Sequence, residues 1–129
     1  MDDARRAQRR TVLVVDDEAS LRLLCRVNLE LDGHRVLEAA TVPEATRLLD
    51  AEEIDVVLLD LHVGSASGLD VLDAVEGRDL AARVVLLSGT AEVTPEVRAR
   101  VASVLGKPFT LEELARAVAD DTSGTLRDA

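Results

Sequence analysis

Asp16, Asp17, Asp60, Ser88 and Lys107 have the residue types and the spacing to do chemistry together. Each stands where an apolar stretch ends: "TVLVV" runs into Asp16 and Asp17, "IDVVLLD" stops at Asp60, "ARVVLLSG" reaches Ser88, and "SVLG" runs into Lys107. Three carboxylates brought onto neighbouring strand ends repel one another, and each gains from a cation placed among them. A hard divalent ion suits such a set. Magnesium, or manganese in its place, takes oxygen ligands and keeps several waters, and it is typically held by one or two carboxylates together with a phosphate. Lys107 adds a compact ammonium that meets an anion as a point charge, and Ser88 adds a hydroxyl donor. The plainer alternative for Asp16 and Asp17 is a pair of strand-end carboxylates that cap the next helix.

The elements that must position these residues follow from the pattern of apolar blocks. "TVLVV" from Thr11 is a β-branched run of the kind buried on both faces of a parallel sheet. Helix signals cover Ala19 to Leu31 and stop at Gly33. "HRVLEAA" is a second strand, and "TVPEATRLLDAEE" is a helix with Thr41 as cap and a proline in its first turn. After the third strand "LHVGSASG" reads as a loop, and "LDVLDAVEG" as a short helix closed by Gly77. The fourth strand ends in Ser88, and "TPEVRARV" is a helix capped by Thr94 with Pro95 at its first position. A short fifth strand, "SVLG", precedes "LEELARAVADD", where Thr110 and Glu113 make a capping box. Five βα units in strict alternation specify a parallel sheet with helices on both faces, because each parallel connection needs a right-handed crossover. Ligands in such sheets bind at the carboxyl ends of the strands, and all five of the residues above fall on that edge.

Composition narrows the function. The 129 residues suffice for one domain with a core, being 47% apolar and almost entirely aliphatic. A net charge of −10 argues against direct contact with nucleic acid, which needs clustered cations. The cluster Arg5, Arg6, Arg9 and Arg10 lies in a polar opening segment, residues 1–10, that reads as a solvated tail, as do residues 122–129. The apolar runs are too short to span a membrane, and no apolar region follows the arginines as in a signal peptide. A single cysteine, Cys25, excludes an internal disulfide and suits a reducing cytoplasm; it reads as a small core hydrophobe. His34 reads as a surface residue at the start of the second strand.

The acidic pair in "DDE", "LLDLHVGSASG" around Asp60, "LLSG" and "GKPF", in that order and each at a strand end, resemble the receiver domain of two-component response regulators. The resemblance covers residues 11–121. It implies a flavodoxin-like, doubly wound (βα)5 fold whose five-stranded parallel sheet has the order 2-1-3-4-5. It also implies a phosphoacceptor signalling domain rather than a separate enzyme, one that promotes its own phosphorylation and autodephosphorylation. Asp60 would take a phosphoryl group from the phosphohistidine of a sensor histidine kinase or a histidine phosphotransfer protein. Asp17 would ligate magnesium directly, Asp16 mostly through water, and the backbone carbonyl of His62 would be the third protein ligand. Ser88 would hydrogen-bond the phosphoryl group, Lys107 would pair with it, and the bond before Pro108 would be cis. Thr90 and Val104 would be modulators. The signal would pass to a downstream protein, with a second copy of the chain left open as a partner.

Lys107 then explains itself. Of 15 basic residues it alone is lysine, because a site that needs one short-range ammonium beside a carboxylate and a phosphate does not suit a planar guanidinium fork. Phe109, the only aromatic residue, reads as a plug beneath the last strand. The chain departs from the family pattern at three places. Gly64 stands where the loop after the phosphoacceptor usually has proline, which should loosen it. Val104 stands where an aromatic residue usually follows the serine inward, and the segment from Ser88 to Lys107 is short enough to truncate the fourth helix. A phosphate relay or sink without conformational output is therefore an alternative, and a phosphatase of the haloacid dehalogenase type is a third reading, against which motif order counts.

The first helix carries one more signal. Leu21, Leu24, Cys25 and Leu29 form a core stripe, and Leu23, Val27 and Leu31 form another. At about 100° per residue the two sets cover an arc of roughly 240°, more than a helix buries against a sheet. Leu23, Val27 and Leu31 are thus expected to face outward, where a kinase's helices could dock, unless they are ordinary scattered apolar residues with Leu31 folded under the helix end.

Overall fold

The computed structural model describes residues 9–64, 66–89 and 93–119. Their order is β1 (Thr11–Val15), α1 (Ala19–Leu31), β2 (Arg35–Ala39), α2 (Val42–Ala51), β3 (Val56–Asp60), β4 (His62–Val63), β5 (Ala66–Ser67), α3 (Leu69–Gly77), β6 (Arg83–Ser88), α4 (Pro95–Arg98), β7 (Ser103–Gly106) and α5 (Leu111–Ala119). Five strands form a parallel sheet in the order β2-β1-β3-β6-β7.

Successive residues of a strand point to opposite faces, so an unbroken apolar strand needs cover on both. Leu13, Val15, Val57, Leu59 and Leu86 face the cluster closed by Ala45 and Leu49 of α2 and by Val71, Leu72 and Val75 of α3. Val12, Val14, Val56, Leu58, Val85 and Leu87 face Cys25 and Leu29 of α1 and Leu114 and Val118 of α5. The apolar residues of the central strands are buried as a result. Cys25 sits in this core as expected, and burial pushes its thiol up to about 11, leaving it inert at neutral pH.

The capping chemistry is as the sequence predicts. Thr41 accepts from the Glu44 N–H at 3.2 Å and Thr94 from the Val97 N–H at 3.2 Å. Thr110 and Glu113 bond reciprocally at 2.9 and 3.0 Å. The fourth helix is truncated as expected, to the single turn Pro95–Arg98.

Several expectations are corrected. His34 is buried rather than exposed: its Nδ1 accepts the Arg10 N–H at 2.9 Å, and burial lowers its pKa. Arg10, the last residue of the expected tail, also reaches the end of α5 through Nη2 to the Ala119 carbonyl at 3.3 Å. The stretch after Asp60 is not a plain loop, because His62–Val63 pairs antiparallel with Ala66–Ser67. Gly64 turns this hairpin at φ +63°, a conformation closed to proline, so glycine here shapes the loop rather than loosening it. Leu24 does not join the core stripe of α1, being 42% exposed. Phe109 is half-buried against the cluster beneath α1 and α5. The remaining tail residues, 1–8 and 122–129, lie outside the described residues.

Candidate functional site

Sheet register gathers the site. Val15 is level with Leu59 and Leu59 with Leu86, so Asp16, Asp60 and Leu87 lie in one row at the carboxyl edge. One step further, Ser88 pairs with Gly106, and the Lys107 N–H donates to the Ser88 carbonyl at 2.7 Å. Ser88 and Asp16 are buried, Asp60 is partly covered and Asp17 is exposed. Carboxylate oxygens of Asp16, Asp17 and Asp60 lie within 4.8 Å of one another, which makes them the one cluster of potential metal-ligating side chains among the described residues. Its donor set is entirely oxygen and fits a hard divalent cation. His62 is exposed, and its imidazole is not part of that cluster.

Lys107 reaches into the acidic set as expected. Its Nζ lies 3.2 Å from Asp16 Oδ2 and 3.6 Å from Asp60 Oδ1. Burial disfavours the ammonium, yet the carboxylates of Asp16 and Asp60 outweigh it and hold the Lys107 pKa above its ordinary value. Asp16 shows the opposite balance. Burial raises its carboxyl above the ordinary 3.8 and Asp60 adds to the rise, while the Glu18 N–H at 2.9 Å and Lys107 only partly counter it. The Lys107–Pro108 peptide bond is cis, as the resemblance implies.

The helix-capping alternative for the acidic pair does not describe what the carboxylates do. The residue at the N-cap of α1 is Glu18, which makes no side-chain cap. Asp16 accepts from the Glu18 N–H, outside the helix, and turns its other oxygen to Lys107.

Two features near the site escaped the sequence reading. Gly68 packs against the backbone of Asp60: a Cβ there would lie 2.1 Å from the Asp60 carbonyl oxygen. Arg22 donates from Nη1 to the Asp16 carbonyl at 2.7 Å and from Nε to Glu38 Oε1 at 3.0 Å. A signal for the second existed, since Glu38 is a lone carboxylate inside the strand "RVLEA" and Arg22 lies one turn into α1.

The other expected residues fall as follows. Val104 lies beside Leu86, half-buried against the cluster on the α3 face. Thr90 lies outside the described residues. Leu23, Val27 and Leu31 are 58%, 47% and 76% exposed and Leu24 joins them, so an apolar strip runs along the outer face of α1. Among the described residues no helix is long and apolar enough to cross a membrane.

Fold and site together define a phosphoacceptor signalling domain of the doubly wound α/β class. The chain belongs to the response regulator receiver domain family, whose model matches residues 12–119. It is 38% identical over 105 residues to the transcriptional regulatory protein KdpE of Mycobacterium tuberculosis, covering 79% of this chain and 46% of that protein. The chain thus spans about half the length of that relative. Among solved structures it is similar to the chemotaxis protein CheY4 of Vibrio cholerae, with a TM-score of 0.77, 25% identity and coverage of 85% and 96% of the two chains. It is also similar to a response regulator from Burkholderia pseudomallei whose structure carries a phosphorylated aspartic acid and a calcium ion, with a TM-score of 0.76, 26% identity and coverage of 92% and 71%. The fold is the flavodoxin-like receiver fold, with the sheet order expected from the resemblance. Receiver domains of this family are phosphorylated on aspartate and pair with histidine kinases or phosphotransfer proteins. The match favours neither the phosphatase nor the phosphate-sink reading.

Proposed function

We propose that Asp60 is the phosphoacceptor, and that Asp16, Asp17, Asp60 and the carbonyl of His62 hold a magnesium or manganese ion beside it. The observation that carries this reading is the convergence of three carboxylates within 4.8 Å with an ammonium on two of them. The ion would supply charge neutralisation for the incoming phosphoryl group. An Asp60 oxygen bonds to phosphorus as the P–N bond of a phosphohistidine breaks and the imidazole leaves. Lys107 then exchanges its pairing with Asp60 for one with the phosphoryl oxygens, and Ser88 donates its hydroxyl to them. Phosphoryl transfer asks for positioning and charge neutralisation more than for covalent help, and this edge supplies both.

The outer strip of α1 beside the acidic edge suits docking of a kinase or phosphotransfer helix, with Leu23, Val27 and Leu31 as its apolar contacts. The domain acts in the cytoplasm, passes its signal through protein contacts, and does not itself bind nucleic acid. It also hydrolyses its own acyl phosphate.

Incubation with magnesium and a small acyl-phosphate donor, followed by intact mass, tests the reading. The wild-type chain is expected to gain one phosphoryl group, and Asp60→Asn none. A wild-type chain that stays unmodified, or an Asp60→Asn chain that loads equally, would refute it.

A further inference from the structure

Asp16 is held through both of its main-chain groups. The Asp16 N–H donates to the Ala39 carbonyl of β2 at 3.1 Å, and the Asp16 carbonyl accepts from Arg22 at 2.7 Å. The guanidinium that makes the second bond is itself held: its Nε pairs with Glu38 on β2 at 3.0 Å, and the other oxygen of Glu38 pairs with Arg26 at 3.0 Å. Arg22 is only 16% exposed, so this planar fork works largely out of water, where its geometry is well defined. Asp17 has no such support of its own. It is exposed, and none of the described side chains bonds its carboxylate, so the main chain alone sets the direction from which it reaches the cluster.

We propose that Arg22 is a positioning residue for metal loading: by fixing the Asp16 carbonyl it sets the Asp16–Asp17 peptide so that both carboxylates converge on Asp60. Glu38 holds Arg22 in that pose. The inference rests on the reading of Asp16, Asp17 and Asp60 as the metal-binding set. It makes a directional claim, because charge alone points the other way. Removing a cation near three carboxylates should tighten binding of a divalent ion, whereas removing a support should weaken it.

The experiment measures binding of Mg2+ alone by calorimetry and of Mn2+ alone by electron paramagnetic resonance, for wild type, Arg22→Met and Arg22→Lys, with thermal unfolding of each in chelator. Arg22→Met is expected to weaken both ions by about tenfold or more, within the range for lost outer-shell partners of metal sites. Arg22→Lys, which keeps the charge but loses the fork, is expected to weaken them by about threefold or more. Excess magnesium should return acyl-phosphate loading of both variants to near the wild-type maximum, since the fault lies in affinity. Unchanged or tighter binding in a folded Arg22→Lys or Arg22→Met overturns the proposal. So does loss of the folded state in chelator by both variants, which would assign Arg22 to the fold instead. A wild-type chain that binds neither ion would overturn the metal reading itself, an outcome distinct from equal binding by all three.

Discussion

Replacing Gly68 by alanine adds one methyl group at the point where α3 begins and the phosphoacceptor strand ends. Gly68 has φ −61° and ψ −19°, so the backbone conformation suits any residue and glycine is not there for flexibility. It is there for space. A Cβ would stand 2.1 Å from the Asp60 carbonyl oxygen, 3.0 Å from that of Leu61 and 3.1 Å from the Asp60 carbonyl carbon. Ordinary contact begins near 3.4 Å, so the two backbones must part by about 1.3 Å. The obstacle is main chain of a buried strand, which has no rotamer to change. Overpacking of this kind costs about 1–3 kcal/mol. The same movement strains the 2.7 Å bond from the Gly68 N–H to the Leu61 carbonyl, a further ~1 kcal/mol. A loss of about 3 kcal/mol should lower the melting temperature by roughly 10 °C in a domain of this size. Thermal and urea unfolding in chelator measure it, with Gly77→Ala as control, since a Cβ at Gly77 meets nothing within 4 Å. If Gly68→Ala melts within about 3 °C of wild type while Gly77→Ala does the same, the close approach does not constrain the site and the reasoning fails.

Further outcomes follow from the charges and the surface. Asp16 has a pKa raised above 3.8, so its contribution to stability is fully present below that value and is lost as pH rises through the raised one. Asp16→Asn is therefore expected to be more stable than wild type in chelator at neutral pH, with the gap closing as pH falls through the raised pKa and closed by about 4; a gap that stays constant with pH removes Asp16 as its source. Lys107→Arg should keep the fold yet load Asp60 at least about tenfold more slowly from an acyl phosphate, because the fork cannot occupy the ammonium's place between Asp16 and Asp60. Equal loading rates would count against the account of that lysine. Val27→Glu, at a position 47% exposed on α1, should leave acyl-phosphate loading intact and slow transfer from the cognate kinase. Wild-type rates from both donors would take Val27 out of any kinase surface.

Much of this protein is legible in its sequence because the physics involved is local. Unbroken apolar strands bounded by caps such as Thr41 and Thr110 specify parallel βα units, and the polar residues at or just after the ends of β1, β3, β6 and β7 fall on one edge of the sheet because the strands run parallel. Residue type and order were thus enough to nominate Asp16, Asp17, Asp60, Ser88 and Lys107. Periodicity also showed that α1 carries more apolar surface than one sheet can cover. It placed Leu23, Val27 and Leu31 outward, as found, but put Leu24 in the core stripe. Leu24 and Leu31 sit about 20° apart on the helix, so the choice of sides belongs to the docking angle of α1 on β1 and β2, which put Leu24 with Leu23, Val27 and Leu31 and left Leu21 against the core.

Only the tertiary structure decided the contacts that join residues distant in the chain. Buried His34 takes a hydrogen bond from Arg10, 24 positions away, and no local pattern encodes that partner. The hairpin after Asp60 depends on Gly64 at φ +63° meeting the approach of α3, where Gly68 presses on the Asp60 backbone. Arg22 reaches the Asp16 carbonyl only because β2 lies beside β1 and offers Glu38 as an anchor. The strength of the charge balance at the site is likewise tertiary. Sequence order names the carboxylates and the lysine, but burial at the sheet edge is what raises the Asp16 pKa, and the carboxylates of Asp16 and Asp60, at spacings of 3.2 and 3.6 Å that sheet register sets, are what raise that of Lys107 against its own burial.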